Sequence, residues 1–542
     1  KPCSPEFRAL GWGSKGRMMS AARALELGAF EAAETLFFGL MEVLRSTEGR
    51  TMDLSQLEKL LQEGGQEMLR KLLQGHLELR GRDTVAEPVI GDDGARRGDR
   101  QRRSRKVETV FGEVEVERER FQAPGLGGRA PLDGALNLPP DRMSLSVRRR
   151  IAEESARGAY ESAVESLRAT SGAQVAKRQA QEAVERSAVD FEDFYRARRE
   201  AETSPRVAEA EGSILVITCD GKGVPMPKDS LREATRKQAE AAQPRLQTRR
   251  TKGEKAHRKR MATVAAVYTI APYERAPEEV LAALRRSGET PPLAAERKRP
   301  KPEHKRVWAS VKEPVEHVVH ELFAEAMDRG AERRQLVALV DGNEVQLGDI
   351  LVTAEEYDLP ITVIVEFIHV LEYLWRAGTA FHGEGTRELE DWVHERMLRI
   401  LKGQASSVAG AIRRSATRRK LSKAERAAVD TCANYLIKYK AFMRYDEYLA
   451  AGYPIATGVI EGACRHLVKD RMEITGARWS LKGAEAILRL RSLRASGDFE
   501  EYWAFHEARE QERNHASTYA DRRVPEMQPA PSSDKPRLRL IK

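Results

Sequence analysis

The chain has 542 residues, 41% of them apolar and 32% charged, and its 92 Lys and Arg against 83 Asp and Glu leave a formal charge of +9. At roughly 150 residues per domain, this length asks for two to four domains; the composition suits a globular protein with one sizeable core and polar segments that cannot join it. No run approaches the ~18 uninterrupted apolar residues of a membrane span and no charged-then-apolar leader opens the chain, so no membrane partner is expected. Cys3, Cys219, Cys432 and Cys464 stand far apart without a C-x-x-C pair, which disfavours a zinc ribbon and a disulfide scaffold and points to a reducing cytosol.

From Asp53 to Leu79, apolar residues including Leu54, Leu57, Leu61, Met68, Leu72 and Leu77 recur at a helical period broken by Gly64-Gly65. The spacing predicts two helical pieces. Residues 81–106 read as a loop, with a basic run from Arg96 to Lys106 that suits phosphate contacts. Alternation through Val107, Thr109 and Phe111, then Val114 and Val116, predicts a β-hairpin around Gly112-Glu113. The Pro- and Gly-rich stretch 123–140 closes this module. Residues 144–200 read as helices. The turn Thr170-Ser171-Gly172, with Lys177, Arg178 and Gln179 following, resembles a helix-turn-helix, although packed helical pairs share that spacing.

The grammar then changes. Ser213 to Cys219 (SILVITC) predicts a buried strand ending in Asp220-Gly221. A strongly basic stretch, 228–260, contains Arg249, Arg250, Lys252, Lys255, Arg258, Lys259 and Arg260, and Met261–Ile270 predicts a second strand. A Pro- and charge-rich linker at 289–305 precedes a helix at 314–329. Leu336–Val340 predicts a third strand, ending in Asp341-Gly342-Asn343; a helix near 345–357 leads to a fourth, Ile361–Val365. From about 367 to 510 only helices are expected: His369–Phe381, Leu389–Leu401, Lys423–Phe442, Gly458–Met472 and Gly483–Ala495. The polar tail after about 515 is expected to be disordered. The segments expected are 1–80, 81–140, 141–205, 206–366, 367–454, 455–515 and 516–542.

Asp-Gly alone is a turn signal. Two such acids, each following a buried strand, are another matter, because ligands and catalytic groups of α/β sheets gather at the carboxyl ends of strands. Asp220 and Asp341 brought together would repel unless a cation lay between them, and hard oxygen ligands suit Mg²⁺ or Mn²⁺. Glu461, in IATGVIEGACRHL, is the candidate third acid: Ile460, Cys464, Leu467 and Val468 stripe one helix face, and Glu461 lies beside it. A helix N-terminal Glu favoured by the macrodipole is the plainer account. Three carboxylates would hold two ions for an in-line displacement at phosphorus. Lys222, Arg249, Arg250, Lys252, Lys255, Arg258, Lys259 and Arg260 beside the first acid, and Lys469, Arg471 and Arg478 after the third, are candidate DNA-backbone contacts. Trp479 reads as core or as a stacking platform for an unpaired base. No G-x-S-x-G, H-E-x-x-H or P-loop is present, which disfavours classical hydrolases and nucleoside triphosphatases.

The strings CDGKGV (219–224), LREATRK (231–237), KRMATVAAVYTIAP (259–272), VALVDGN (337–343), FIHVLEYLW (367–375), DTCANYLIKY (430–439) and ATGVIEGACRHLVKDRM (456–472), with GARW (476–479) and SGDFEEYW (496–503), resemble bacterial insertion-sequence transposases of the ISKra type. The likeness covers roughly residues 140–515. It implies a helix-rich α/β fold: an RNase H-like core with an Asp-Asp-Glu triad, a large all-helical insertion before the Glu, and a helical and β-hairpin DNA-binding region in front. Asp220, Asp341 and Glu461 take the triad positions, as catalytic and metal-binding residues for two Mg²⁺ or Mn²⁺ ions. It further implies DNA partners (terminal inverted repeats and target DNA), at least a dimer, and a cytoplasmic, nucleoid-associated bacterial protein. Related enzymes with such an insertion often carry Asp-x-x-His after the second Asp. Here the position reads Glu366-Phe-Ile-His369, which leaves its role open. The alternatives are a non-catalytic DNA-binding derivative of a transposase and a nuclease that cuts without joining.

Overall fold

The computed structural model describes residues 28–201, 214–241, 258–284, 298–456, 458–474 and 476–529. Cys3, Thr457, Arg249, Arg250, Lys252 and Lys255 lie outside the described residues. The protein is a helix-rich α/β structure with a five-stranded mixed sheet. It divides into two compact units: residues 1–151, 160–180 and 504–542 form one, and 152–159 with 181–503 the other.

In the first unit, helix α1 (Glu31–Arg45) precedes a single 27-residue helix, α2 (Leu54–Arg80), opened by an Asp53–Gln56 capping box. Gly64-Gly65 therefore does not divide it. Gly64 serves close packing: a Cβ there would lie 2.5 Å from Leu40 Cδ2. The charged run expected to be loop is in fact a strand, β1 (Asp99–Thr109), paired in register with β2 (Gly112–Gln122). Cross-strand ion pairs hide the strand pattern: Arg102 meets Glu117 at 3.1 Å and Lys106 meets Glu113 at 2.6 Å. Only the inner end alternates apolar residues, and there Val107, Val114 and Val116 pack on Leu77 and Leu132. Gln74 on α2 brackets the backbone of Glu115, donating to its carbonyl at 3.1 Å and accepting from its amide at 2.9 Å.

Helices α3 (Leu145–Arg157), α4 (Tyr160–Thr170) and α5 (Lys177–Ser187) follow, with the expected Gly turn between α4 and α5. That turn has a packing reason. The Gly172 amide donates to the Val110 carbonyl at 3.0 Å, and a Cβ would lie 2.4 Å from the Phe111 carbonyl oxygen, at the hairpin tip. Lys177 pairs with Glu161, and the Gln179 side chain accepts from the Ala176 amide at 3.0 Å. The segment after 515 is also ordered in part: Met527–Gln528 pairs with Thr84–Val85, and Tyr519 is buried with Val89 and Phe121.

The second unit includes α6 (Phe191–Glu200) and is built on the sheet. Strands β3 (Ile214–Pro225), β4 (Lys259–Ile270) and β5 (Glu303–Ser310) form an antiparallel meander; β6 (Leu336–Val340) and β7 (Ile361–Val365) add in parallel beside β3. The order across the sheet is β7-β6-β3-β4-β5. Two sequence expectations are corrected. β3 runs on past Asp220 to Pro225, because β4 continues to pair with it. The end of the expected linker belongs to strand β5, whose apolar residues begin only at Val307. Helix α7 (Val315–Asp328) joins β5 to β6, and α8 (Glu344–Glu356) joins β6 to β7.

After β7 come α9 (Phe367–Gly378), α10 (Arg387–Leu401), α11 (Ala405–Arg418) and α12 (Lys423–Lys438), then α13 (Gly458–Ala463), α14 (Leu481–Ser496) and α15 (Phe499–Asn514). No described residue between 367 and 510 is in a strand. α11 and α15 went unassigned in the sequence. α14 covers edge strand β5: buried Glu485 accepts from Ser310 Oγ and the Val311 and Lys312 amides at 2.9–3.1 Å, and Ser496 Oγ bonds both backbone groups of Val307.

Gly172→Ala should lower stability by roughly 1–3 kcal/mol, because backbone rather than a movable side chain occupies the space. Urea unfolding of the variant checks this; an unchanged midpoint would mean that the hairpin tip yields freely.

Candidate active site

Strand register brings the first two acids together. Leu215 pairs with Leu336 and Thr218 with Leu339, so the same register carried two residues further sets Asp220 level with Asp341. On the far side, Val365 pairs with Val340, and the Glu366 amide donates to the Val340 carbonyl at 2.8 Å. One step on, Glu366 stands level with Asp341. Three acids thus share one row across β3, β6 and β7, where β3 loses its parallel neighbour.

Each carboxylate is turned to its own donor. Asp341 accepts from the Asn343 amide at 2.7 Å, and Cys464 Sγ lies 3.2 Å from Asp220 Oδ2. Glu461, on α13, shares a side-chain hydrogen bond with Glu366. Desolvation raises the Glu461 pKa from its ordinary value, and the Asp220 charge pushes the same way; its own backbone amide, His369 and Glu366 pull it down. Burial, and then the neighbouring Asp220 charge, raises the Cys464 thiol, which stays protonated and donates to that carboxylate. Glu366 is only 2% exposed, with His369 Nε2 3.7 Å from its Oε2.

The helical segment 367–454 supports this row from below. Tyr435 and Tyr439, one turn apart on and just beyond α12, donate to the Asp341 carbonyl at 2.9 Å and the Gly342 carbonyl at 2.5 Å. Tyr373 of α9 stacks on Tyr435 with centroids 4.1 Å apart. Gly342 has φ +90°, and a Cβ there would lie 3.0 Å from the Tyr435 ring, so two requirements meet at this glycine. Beyond Glu461 the helix widens into a π-helical stretch, Cys464–Lys469, which sets the following residues off an α-helical register.

Glu366 carries the same signal that selected Asp220 and Asp341, an acid following a buried strand. Tyr435, Tyr439 and Cys464 carried no signal, because hydrogen bonds to another segment's backbone leave no local pattern. The donor set is one of hard carboxylate oxygens, which fits Mg²⁺ or Mn²⁺ better than soft-ligand metals. Among the described residues no three His, Cys, Asp or Glu side chains stand at metal-ligand spacing.

The basic candidates separate. Lys222 shares the β3 face of Asp220, and its charge reaches Cys464. Lys469 and Arg478 are exposed. Lys259 pairs with Glu473 at 2.6 Å, and Arg260 bonds the Val311 carbonyl at 2.7 Å and the Ser230 carbonyl at 3.2 Å. Arg258 lies beside them at the start of β4. Arg471 is 3% exposed, bonded to the Ser155 carbonyl and lying over Trp479. It is an interior cation, and a DNA backbone would not reach it. Trp479 is core: it is buried, and its indole N–H donates to the Met472 carbonyl at 3.1 Å.

No protein-family model matches the chain, and no curated protein matches it.

The raised Glu461 pKa fixes the sign of a pH effect. The native state holds this proton more tightly than the unfolded chain, so stability from Glu461 is present at low pH and is lost as pH rises through the folded pKa. Glu461→Gln should therefore melt higher than wild type at pH 8, with the gap closing towards pH 4. Thermal unfolding across that range decides; a gap widening at low pH would reverse the assignment.

Proposed function

We propose that the chain is a DNA transposase of an insertion sequence, binding terminal inverted repeats and catalysing phosphodiester cleavage and strand transfer. The observation that carries this reading is the row of acids on neighbouring parallel strands, met by Glu461 from a helix. Numbered within the unit, the sheet order 5-4-1-2-3 with only the second strand reversed supports an RNase H-like core, and the helices between Glu366 and Gly458 support the all-helical insertion.

Asp220, Asp341 and Glu461 are the residues that would hold Mg²⁺ or Mn²⁺, which would lower the pKa of an attacking water and neutralise the leaving oxygen. The chain's own residues prepare the ground. Tyr435 and Tyr439 hold the Asp341-Gly342 turn in place. Cys464 keeps the Asp220 carboxylate aimed, and Glu366 does the same for Glu461. Lys222, Lys469 and Arg478 present cations to the DNA backbone, and Lys259 and Arg260 stiffen the strand beside them. No covalent protein–DNA intermediate is required, so no Ser or Tyr nucleophile is assigned. Two element ends must be held together, which asks for at least two copies of the chain.

Labelled DNA carrying the element's ends should be cut at the end in Mg²⁺ or Mn²⁺, not in chelator. Asp341→Asn and Glu461→Gln should each lower cutting by at least ~10³-fold while end binding persists. Specific binding without cutting would identify a non-catalytic derivative. Cutting of any DNA at any site would identify a nuclease.

A further inference from the structure

Helix α13 has a second face. Gly458 and Gly462 stand one turn apart on it and, with His466 of the π-helical stretch that follows, line a cavity of about 580 Å³, while Glu461 lies off that face. The volume is that of a small-molecule site. Its floor is apolar, with Ile270, Val307 and Leu467, and Pro300 and Pro302 form one wall. Nothing lies within 4 Å of a Cβ built at Gly458 or Gly462, so the helix backbone itself is open to an occupant.

The rim is cationic and its cations are not ion-paired. Arg275, Arg299 and Lys305 all line the cavity, and among the described residues no carboxylate stands within ion-pair distance of any of the three. Arg275 lies over the Tyr273 ring at 5.5 Å, and one terminal nitrogen donates to the Tyr453 carbonyl at 3.2 Å. Its Nε is buried without a hydrogen-bond partner. Desolvation, and then the like charge of Arg299, works against it, while Tyr273 and the Glu279 charge work more weakly in its favour. A half-buried guanidinium with one buried idle donor, beside the exposed Arg299, has hydrogen-bonding capacity left over for an anion. Arg306 in the same unit, by contrast, pairs with Glu325 at 2.5 Å.

We propose that this cavity binds a nucleotide, its phosphate against Arg275 and Arg299 and its base on the apolar floor beside Tyr273. Guanidinium forks suit a phosphate, and a flat base gains from aromatic and apolar faces without sequence preference. The same chemistry has two sources, an unpaired nucleotide within a DNA strand and a free nucleotide. Either occupant would brace the helix that carries Glu461. The site shares that helix with the proposed triad but no residue of the triad, so it stands or falls separately.

The test is fluorescence anisotropy of a labelled twelve-nucleotide dT strand with the full-length protein, without cleavage as a readout. Arg275→Gln/Arg299→Gln should weaken binding at least tenfold with an unchanged melting temperature, and Gly462→Leu, which puts a side chain into the opening, should do the same. Unaltered affinity in both variants would overturn the proposal. Competition by dTMP at millimolar concentration would identify a free nucleotide as the occupant; competition by unlabelled dT strand alone would identify the strand. Photocrosslinking of a 5-iododeoxyuridine strand should map to Tyr273, and adducts confined to other parts of the chain would also overturn it.

Discussion

Parallel pairing of β3, β6 and β7 is the constraint on which the rest of the second unit depends. Once Leu215 meets Leu336 and Val365 meets Val340, the pleat leaves no freedom in where the following residues stand. Asp220, Asp341 and Glu366 arrive in one row. A one-residue slip would turn the whole apolar set of a strand to the opposite face, so burial of these strands also fixes the acids' positions. The row lies where β3 keeps its antiparallel neighbour β4 but loses β6, and that parting opens the sheet edge to α13.

Charge is handled in two ways inside this unit. Arg306, 1% exposed, sits 3.6 Å from the Tyr195 ring centroid and pairs with Glu325. Burial would raise the Glu325 carboxyl, but Arg306 and Arg329 hold it down to about 2. That cluster ties β5 to α7, and replacing either partner would strand the other. At the acid row, among the described residues, no Arg or Lys is ion-paired with Asp220, Asp341 or Glu461 as Arg306 is with Glu325. Acids lean instead on a thiol, an amide, two tyrosines and one another. Ion-paired charge builds the scaffold; charge of one sign at the acid row and of the other at the cavity rim marks the faces proposed to meet a ligand.

Local patterns carried well where one force governed. The apolar runs Leu215–Cys219, Leu336–Val340 and Ile361–Val365 are buried strands because nothing but a sheet interior suits them, and the helices after 367 follow their apolar period. Patterns failed where tertiary partners supplied the stability. β1 looked like a basic loop because its cross-strand partners are acids on β2, fifteen residues away in the case of Arg102 and Glu117. Gly64-Gly65 looked like a break because its compensation is Leu40 on another helix. The basic residues near the acids read as one class, yet Arg471 is an interior group under Trp479 while Lys469 and Arg478 face outward.

By itself the sequence determined which acids follow buried strands, the switch from strands to helices after β7, and an apolar helix stripe beside Glu461, because each is written in a few consecutive side chains whose burial or exposure has one solution. Only the tertiary structure decided that Asp220, Asp341 and Glu366 stand level, that Tyr435 and Tyr439 hold the turn between strand and helix, and that the back of α13 opens on a cationic cavity. Those facts depend on register and on groups roughly a hundred residues or more apart, and hydrogen bonding to a distant segment's backbone leaves no trace in local composition.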